Sequence, residues 1–184
     1  MSQPARVGRP AVYRVHMPEN DEDGPWSANA NMNTPTIRPA TAADHAAWLP
    51  LWRGYQAFYK VDLPEATTRI TWQRLLDPAE TMHLALAEIG GRVVGLVHFI
   101  EHRSCWSEAD SIYLQDLFTA PEARGHGAGR ALIAHVCERA RAMGCAKVHW
   151  LTHETNAQAR ALYDKVAERP GYVDYRIAIP PAPR

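Results

Sequence analysis

Leu117-Phe118-Thr119-Ala120-Pro121-Glu122-Ala123-Arg124-Gly125-His126-Gly127-Ala128-Gly129-Arg130 is the stretch on which the reading of this chain turns. An apolar segment enters a proline-containing turn, and glycines alternate at 125, 127 and 129. Beyond them Leu132, Val136, Ala140 and Met143 recur at helical spacing. The order is strand, turn, helix. Without a Cβ, glycine lets the backbone approach a bound group and turn its N–H groups inward. A helix start adds about half a positive charge and about four unpaired donors, which suits a phosphate or pyrophosphate. A P-loop needs Gly-Lys-Ser/Thr after its spacer, and nothing here supplies it. The dinucleotide fingerprint needs a sixth-place glycine where, counting from Gly125, Arg130 stands. Both motifs fail on spacing. A tight strand-to-helix turn without a ligand stays open as the other reading of these glycines.

Outward from this loop the pattern is regular. Thr36-Ile37-Arg38 reads as a short strand, followed by a helix from Thr41 to about Tyr59. Thr41 suits an N-cap, and Asp44 falls where an acid complements the helix dipole. Trp48, Leu51, Trp52, Tyr55 and Phe58 keep helical spacing. A second helix is expected over Glu65 to Leu76. Met82 to Ile89 and Arg92 to Glu101 read as strands joined by Gly90-Gly91, a two-residue hairpin turn. Tyr113 to Thr119 is a strand, Gly127 to Met143 a helix, and Ala146 to Thr152 a strand. Asn156 to Val166 is a helix and Tyr172 to Ile179 a closing strand. The fold class is α/β: a mixed sheet with helices on both faces. Residues 34–184 are expected to form this domain. Residues 1–33, with the acidic run Asp21-Glu22-Asp23 and no period, read as a disordered leader. Met32, just before the first patterned segment, raises the expectation that translation starts there.

A length of 184 residues suits about one ordinary domain. Twenty basic residues balance 20 acidic ones, so no global field favours nucleic acid or an anionic membrane. Cys105, Cys137 and Cys145 fit neither a disulfide framework nor a zinc site, which points to a reducing cytoplasm. No apolar run reaches the roughly 18 residues of a membrane span, and the N-terminus lacks a signal peptide's apolar core. His83, His98, His102, His149 and His153 are not spaced as metal ligands, so no metal is expected.

Arg124-x-x-Gly127-x-Gly129 resembles the acetyl-CoA signature of the GNAT superfamily of N-acetyltransferases, and it lies between a strand and a helix as it does there. Asn156-x-x-Ala159-x-x-x-Tyr163 resembles the family's second motif, and Ile37 to Asp44 is similar to its opening strand and helix. The likeness spans about residues 34 to 179. Tyr113-Leu114-Gln115-Asp116-Leu117-Phe118 and Leu162-Tyr163-Asp164-Lys165 look most like the diamine and polyamine acetyltransferases and the HPA2-like group. The resemblance implies a mostly antiparallel twisted sheet with one parallel, splayed pair. It implies acetyl-CoA as co-substrate, a small-molecule amine as acceptor, and often a homodimer. The main-chain amides of Gly125, His126, Gly127, Ala128, Gly129 and Arg130 would hold the pyrophosphate. Leu117, Phe118 and Thr119 would pair with the pantetheine arm as an added strand does. Arg124, Asn156 and Ala159 complete the cofactor-binding set. His126, in mid-loop, reads as a bystander more readily than as a base.

Acetyl transfer to an amine meets a protonation problem. An alkyl ammonium with pKa near 10.4 is about 3.4 units from deprotonation at pH 7, about 4.6 kcal/mol. The enzyme must remove a proton and help the thiolate leave. By the resemblance, Tyr163 is the general acid; from its residues alone it reads more readily as a core tyrosine with a satisfied hydroxyl. Gln115 and Asp116 are polar in a strand expected to be apolar, so they need partners. Related polyamine enzymes carry Glu-Asp here, and Gln115 cannot act as a base. Asp116 is left to accept a proton through a water that Gln115 positions, to bind a cationic group, or to bond a neighbouring loop. Tyr59, Glu101 and Trp106 are candidates for the acceptor pocket, with Tyr55, Glu108 and Asp110 beside them. A protein or peptide lysine acetyltransferase and a non-catalytic CoA-binding sensor are the competing functions.

Overall fold

The computed structural model describes residues 34–180, so the expected leader at 1–33 and the start at Met32 lie outside the described residues. The described residues fall into two units, 34–153 and 154–180. The first contains β1 (Thr36–Pro39), α1 (His45–Phe58), α2 (Glu65–Leu76), β2 (Met82–Ile89), β3 (Arg92–His102), β4 (Ser111–Thr119), α3 (Ala128–Ala142) and β5 (Lys147–His149). The sheet order is β1-β2-β3-β4-β5, antiparallel throughout except for the parallel β4–β5 pair. This is the mixed sheet that the sequence predicts.

Local chemistry explains the boundaries. Gly90 and Gly91 take φ of 57° and 77°, the left-handed conformations a two-residue hairpin requires, and they join β2 to β3. Before α1, residues Ala42–Asp44 make a single 3-10 turn, and Thr41 donates its backbone N–H and its hydroxyl to the Asp44 carboxylate at 2.7 and 2.8 Å. The same carboxylate receives two N–H groups from Arg38, at 2.8 and 2.7 Å, while Arg38 Nε reaches Glu88 at 2.8 Å. One guanidinium thus joins β1, the helix entry and β2.

The two faces of the sheet carry different helices. His98 on β3 meets the rings of Trp48 and Trp52 on α1. Phe118 on β4 lies under Gly54 of α1, where a Cβ would come within 2.9 Å of the ring. On the other face, a Cβ on Gly95 would meet Leu132 of α3 at 3.3 Å. The core between them includes Leu86, Leu96, Val97, Ile112, Leu132 and Val136, all almost fully buried. Trp48 is wholly buried, stacks on Trp52 and packs 4.8 Å from the ring of Trp72 on α2. Burying such a side chain stabilises by about 2–3 kcal/mol.

β3 and β4 slip register between His98 and Phe99: His98 faces Asp116 and Phe99 faces Leu114. Gln115 is therefore the extra residue of a β-bulge, a feature that bends and twists the strand carrying it. The ladder from β4 to β5 runs only from Ser111↔Lys147 to Tyr113↔His149. The sequence predicts a strand over Ala146 to Thr152, but only Lys147–His149 pairs with β4. Among the described residues no strand takes the outer edge of Leu114 to Thr119.

In residues 154–180, α4 (Ala157–Val166) starts at Asn156, whose side-chain oxygen accepts the N–H of Ala159 at 3.2 Å. The strand expected over Tyr172 to Ile179 does not form. Its alternation of Tyr, Val and Ile fits a pleated surface. A strand, however, exists only when a neighbour takes up its backbone N–H and C=O groups. Tyr172, Val173, Tyr175, Ile177 and Ile179 are exposed instead. No helix among the described residues is long and apolar enough to cross a membrane.

Candidate functional site

The glycine loop leaves β4 at Thr119 and passes through a 3-10 turn at Pro121–Ala123. Arg124 folds back so that its Nε donates to the Thr119 carbonyl at 3.4 Å. Gly125 and Gly127 have φ of 82° and 83°, and nothing lies within 4 Å of where a Cβ would project from either. Conformation, not crowding, demands glycine there. Gly127 caps α3, and its carbonyl accepts the N–H of Ala131 at 3.0 Å. The N–H groups of Ala128, Gly129 and Arg130 precede that first helical bond and have no acceptor within the helix. They lie at the N-terminus of a 15-residue helix, where an anion would be favoured. His126 is exposed and its Nδ1 donates to the Arg124 carbonyl at 3.0 Å, so it braces the loop. Beside the loop, Leu117, Phe118 and Thr119 lie on the stretch of β4 whose outer edge no strand takes among the described residues.

A cavity of about 210 Å³ opens on the α1–α2 face. Trp52, Leu63, Leu75, Met82, Phe99 and Ile100 supply an apolar wall; Thr67, Thr71, Gln115, Asp116 and His98 supply the polar one. Asp116 is 7% exposed, and its Oδ2 lies 2.9 Å from His98 Nδ1. Trp48 Nε1–H donates to His98 Nε2 at 3.0 Å. Gln115 is exposed, as a bulge residue can be, and Asp116 is turned inward beside it. The structure thus brings Gln115 and Asp116 into one cavity wall.

Tyr59, Glu101 and Trp106 do not line that wall. Tyr59 packs edge-on against Tyr55, Glu101 lies 4.0 Å from Cys145 Sγ, and Trp106 is 98% exposed. Asp110 pairs with Arg103. Asn156, Ala159 and Tyr163 occupy one face of α4, with Tyr163 two turns beyond the cap. Where β3 and β5 end, His102 donates from Nδ1 to the Arg103 carbonyl, so its Nε2 accepts from His149 at 2.9 Å. Burial first, then Lys147 and His102, lowers the pKa of His149 from the usual histidine range. Among the described residues no group of three or more His, Cys, Asp or Glu could hold a metal ion.

The sequence reading missed the cavity and His98. A signal was present: His98 interrupts an apolar strand as Asp116 does, and two buried polar residues on consecutive strands need each other. Linking them required the β3–β4 register, which sets His98 opposite Asp116. Trp52, Leu63, Thr67 and Thr71 lie on α1, α2 and the segment between them, where packing alone gathers them.

Residues 48–167 match the Acetyltransferase (GNAT) family. The D-amino-acid N-acetyltransferase HPA3 of Saccharomyces cerevisiae is 36% identical over 142 residues, covering 76% of this chain and 88% of that protein. The L-2,4-diaminobutyric acid acetyltransferase of Nocardia farcinica is 25% identical over 166 residues, 90% of this chain and 80% of the relative. Among solved structures, AAC(6')-Iy bound to a CoA bisubstrate analogue superimposes with a TM-score of 0.69 at 17% identity, over 79% of this chain and 98% of the other, and shows the shared fold. A strand, a glycine turn and a helix N-terminus in this order, together with these likenesses, establish that the chain belongs to the GNAT family of acetyltransferases.

Proposed function

We propose that this acetyltransferase moves acetyl from acetyl-CoA to the primary amine of a small molecule, a diamine, polyamine or amino acid in size, without a covalent enzyme intermediate. The observation that carries this reading is the cavity of about 210 Å³ with one buried carboxylate, Asp116, in a largely aromatic and aliphatic wall. Such a carboxylate attracts a cation strongly because little water competes for it. The two curated relatives are named for a D-amino acid and for diaminobutyric acid, both small amines.

The residues present fit the co-substrate. Two left-handed glycines and the open N–H groups of Ala128, Gly129 and Arg130 suit a pyrophosphate. The outer edge of Leu117 to Thr119, which no strand takes among the described residues, suits an extended amide-bearing arm. When bound, acetyl-CoA supplies the activated thioester. Asp116, through a water held by Gln115, takes the proton from the acceptor's ammonium. The acceptor nitrogen loses its second proton on forming the amide; at the position that Tyr163 matches, the family resemblance implies a general acid that protonates the departing sulfur and is restored by that second proton. The exchange consumes ammonium and thioester and yields acetamide, thiol and one released proton.

A thiol-release assay with spermidine, 2,4-diaminobutyrate, a D-amino acid and a lysine peptide tests this. Turnover is expected with a small amine in preference to the peptide. Asp116→Asn should lower kcat/KM for that amine about 100-fold or more. Tyr163→Phe should lower kcat while KM for acetyl-CoA holds. Turnover with the peptide alone would make it a protein lysine acetyltransferase. CoA binding without thiol release from any amine would make it a sensor.

A further inference from the structure

We propose that His98 is a positioning residue for Asp116, set in one tautomer by Trp48; this rests on the cavity being the acceptor site. The three side chains come from α1, β3 and β4 and are 0%, 3% and 7% exposed. An indole N–H only donates, so the 3.0 Å contact makes His98 Nε2 an acceptor. The ring proton then sits on Nδ1, which donates to Asp116 Oδ2 at 2.9 Å. Both ring nitrogens are engaged. His98 cannot take the acceptor's proton without breaking one of these bonds, so it is not the base. Its effect is to hold Oδ2 and leave the other carboxylate oxygen to the cavity, whose wall both residues share. A relay satisfied only for packing would have no reason to end in that wall. The pair belongs to the unbroken register from Gly95↔Thr119 to His98↔Asp116, and the bulge follows directly after it.

The test combines nitrogen NMR of the intact protein at pH 7 with acceptor kinetics. Expected is a protonated Nδ1 and an unprotonated Nε2 for His98, with this fixed pattern lost in Trp48→Phe. His98→Phe should lower kcat/KM for the amine about 10- to 100-fold while KM for acetyl-CoA holds. His98→Asn, whose amide nitrogen can overlie Nδ1, should recover most of that loss. A ring protonated at Nε2 would overturn the proposal, as would a His98→Asn variant that melts like the wild type yet is as impaired as His98→Phe. Should His98→Phe fail to fold, His98→Asn and the nitrogen spectrum decide. Absence of turnover with every amine would overturn the acceptor reading, and the nitrogen pattern would then decide the Trp48–His98–Asp116 contact by itself.

Discussion

Gly127 caps α3 with φ of 83°, a conformation that costs an L-residue about 1–2 kcal/mol. Because nothing lies within 4 Å of the absent Cβ, alanine there introduces strain without a clash. Gly127→Ala should therefore lower Tm by about 2–6 °C. Relief of that strain would tilt the N–H groups of Ala128 to Arg130 away from a shared focus, so KM for acetyl-CoA should rise several-fold while kcat stays near wild type. Initial rates at varied acetyl-CoA check this, and an unchanged KM would detach the glycine from the cofactor. Gly129 differs: it lies inside the first turn of α3 and is not among the left-handed glycines. Gly125 and Gly127 shape the turn through their left-handed backbone.

Between elements, the network of Arg38, Asp44 and Glu88 is the clearest electrostatic clamp. The Arg38 guanidinium holds the Asp44 carboxyl well below the usual carboxylate range, with the Thr41 N–H and hydroxyl assisting. The same bonds, to Asp44 first and then Glu88, raise Arg38 above its ordinary value. A carboxylate whose folded pKa is depressed stabilises the fold above its unfolded pKa, about 3.9, and loses that contribution as pH falls toward the folded value. Stability should accordingly decline below about pH 4. Arg38 is 37% exposed, so solvent screens part of the interaction. Asp44→Asn should destabilise by about 1–2 kcal/mol at pH 7. It should also show a flatter acid limb than the wild type. Urea unfolding at pH 7 and pH 3 measures both, and parallel pH profiles would assign the acid sensitivity to other groups.

Across the whole molecule, what could be read from sequence was what local chemistry determines. Gly90-Gly91 specified its hairpin through positive φ, the periodic residues of Glu65–Leu76 gave a helix with those bounds, and the glycine loop marked a strand turning into a helix. What could not be read depends on register and on partners. His98 reaches Asp116 because the β3–β4 register sets them opposite each other, and the cavity gathers residues from two helices and three strands. Tyr172 to Ile179 has a strand's pattern but no ladder among the described residues, since propensity does not supply a neighbour. Tyr59 and Trp106 lie outside the lining of that cavity, and aromatic composition alone does not say which way a side chain faces. The family was legible because its phosphate-binding turn is local. Calorimetric titration of the full chain with CoA and with acetyl-CoA tests that turn most directly. Saturable binding is expected, with about 2.7 kcal/mol of added stability at a hundredfold excess over Kd, and with affinity weakened in Gly127→Ala. Neither heat nor thermal stabilisation at millimolar CoA or acetyl-CoA would contradict the account.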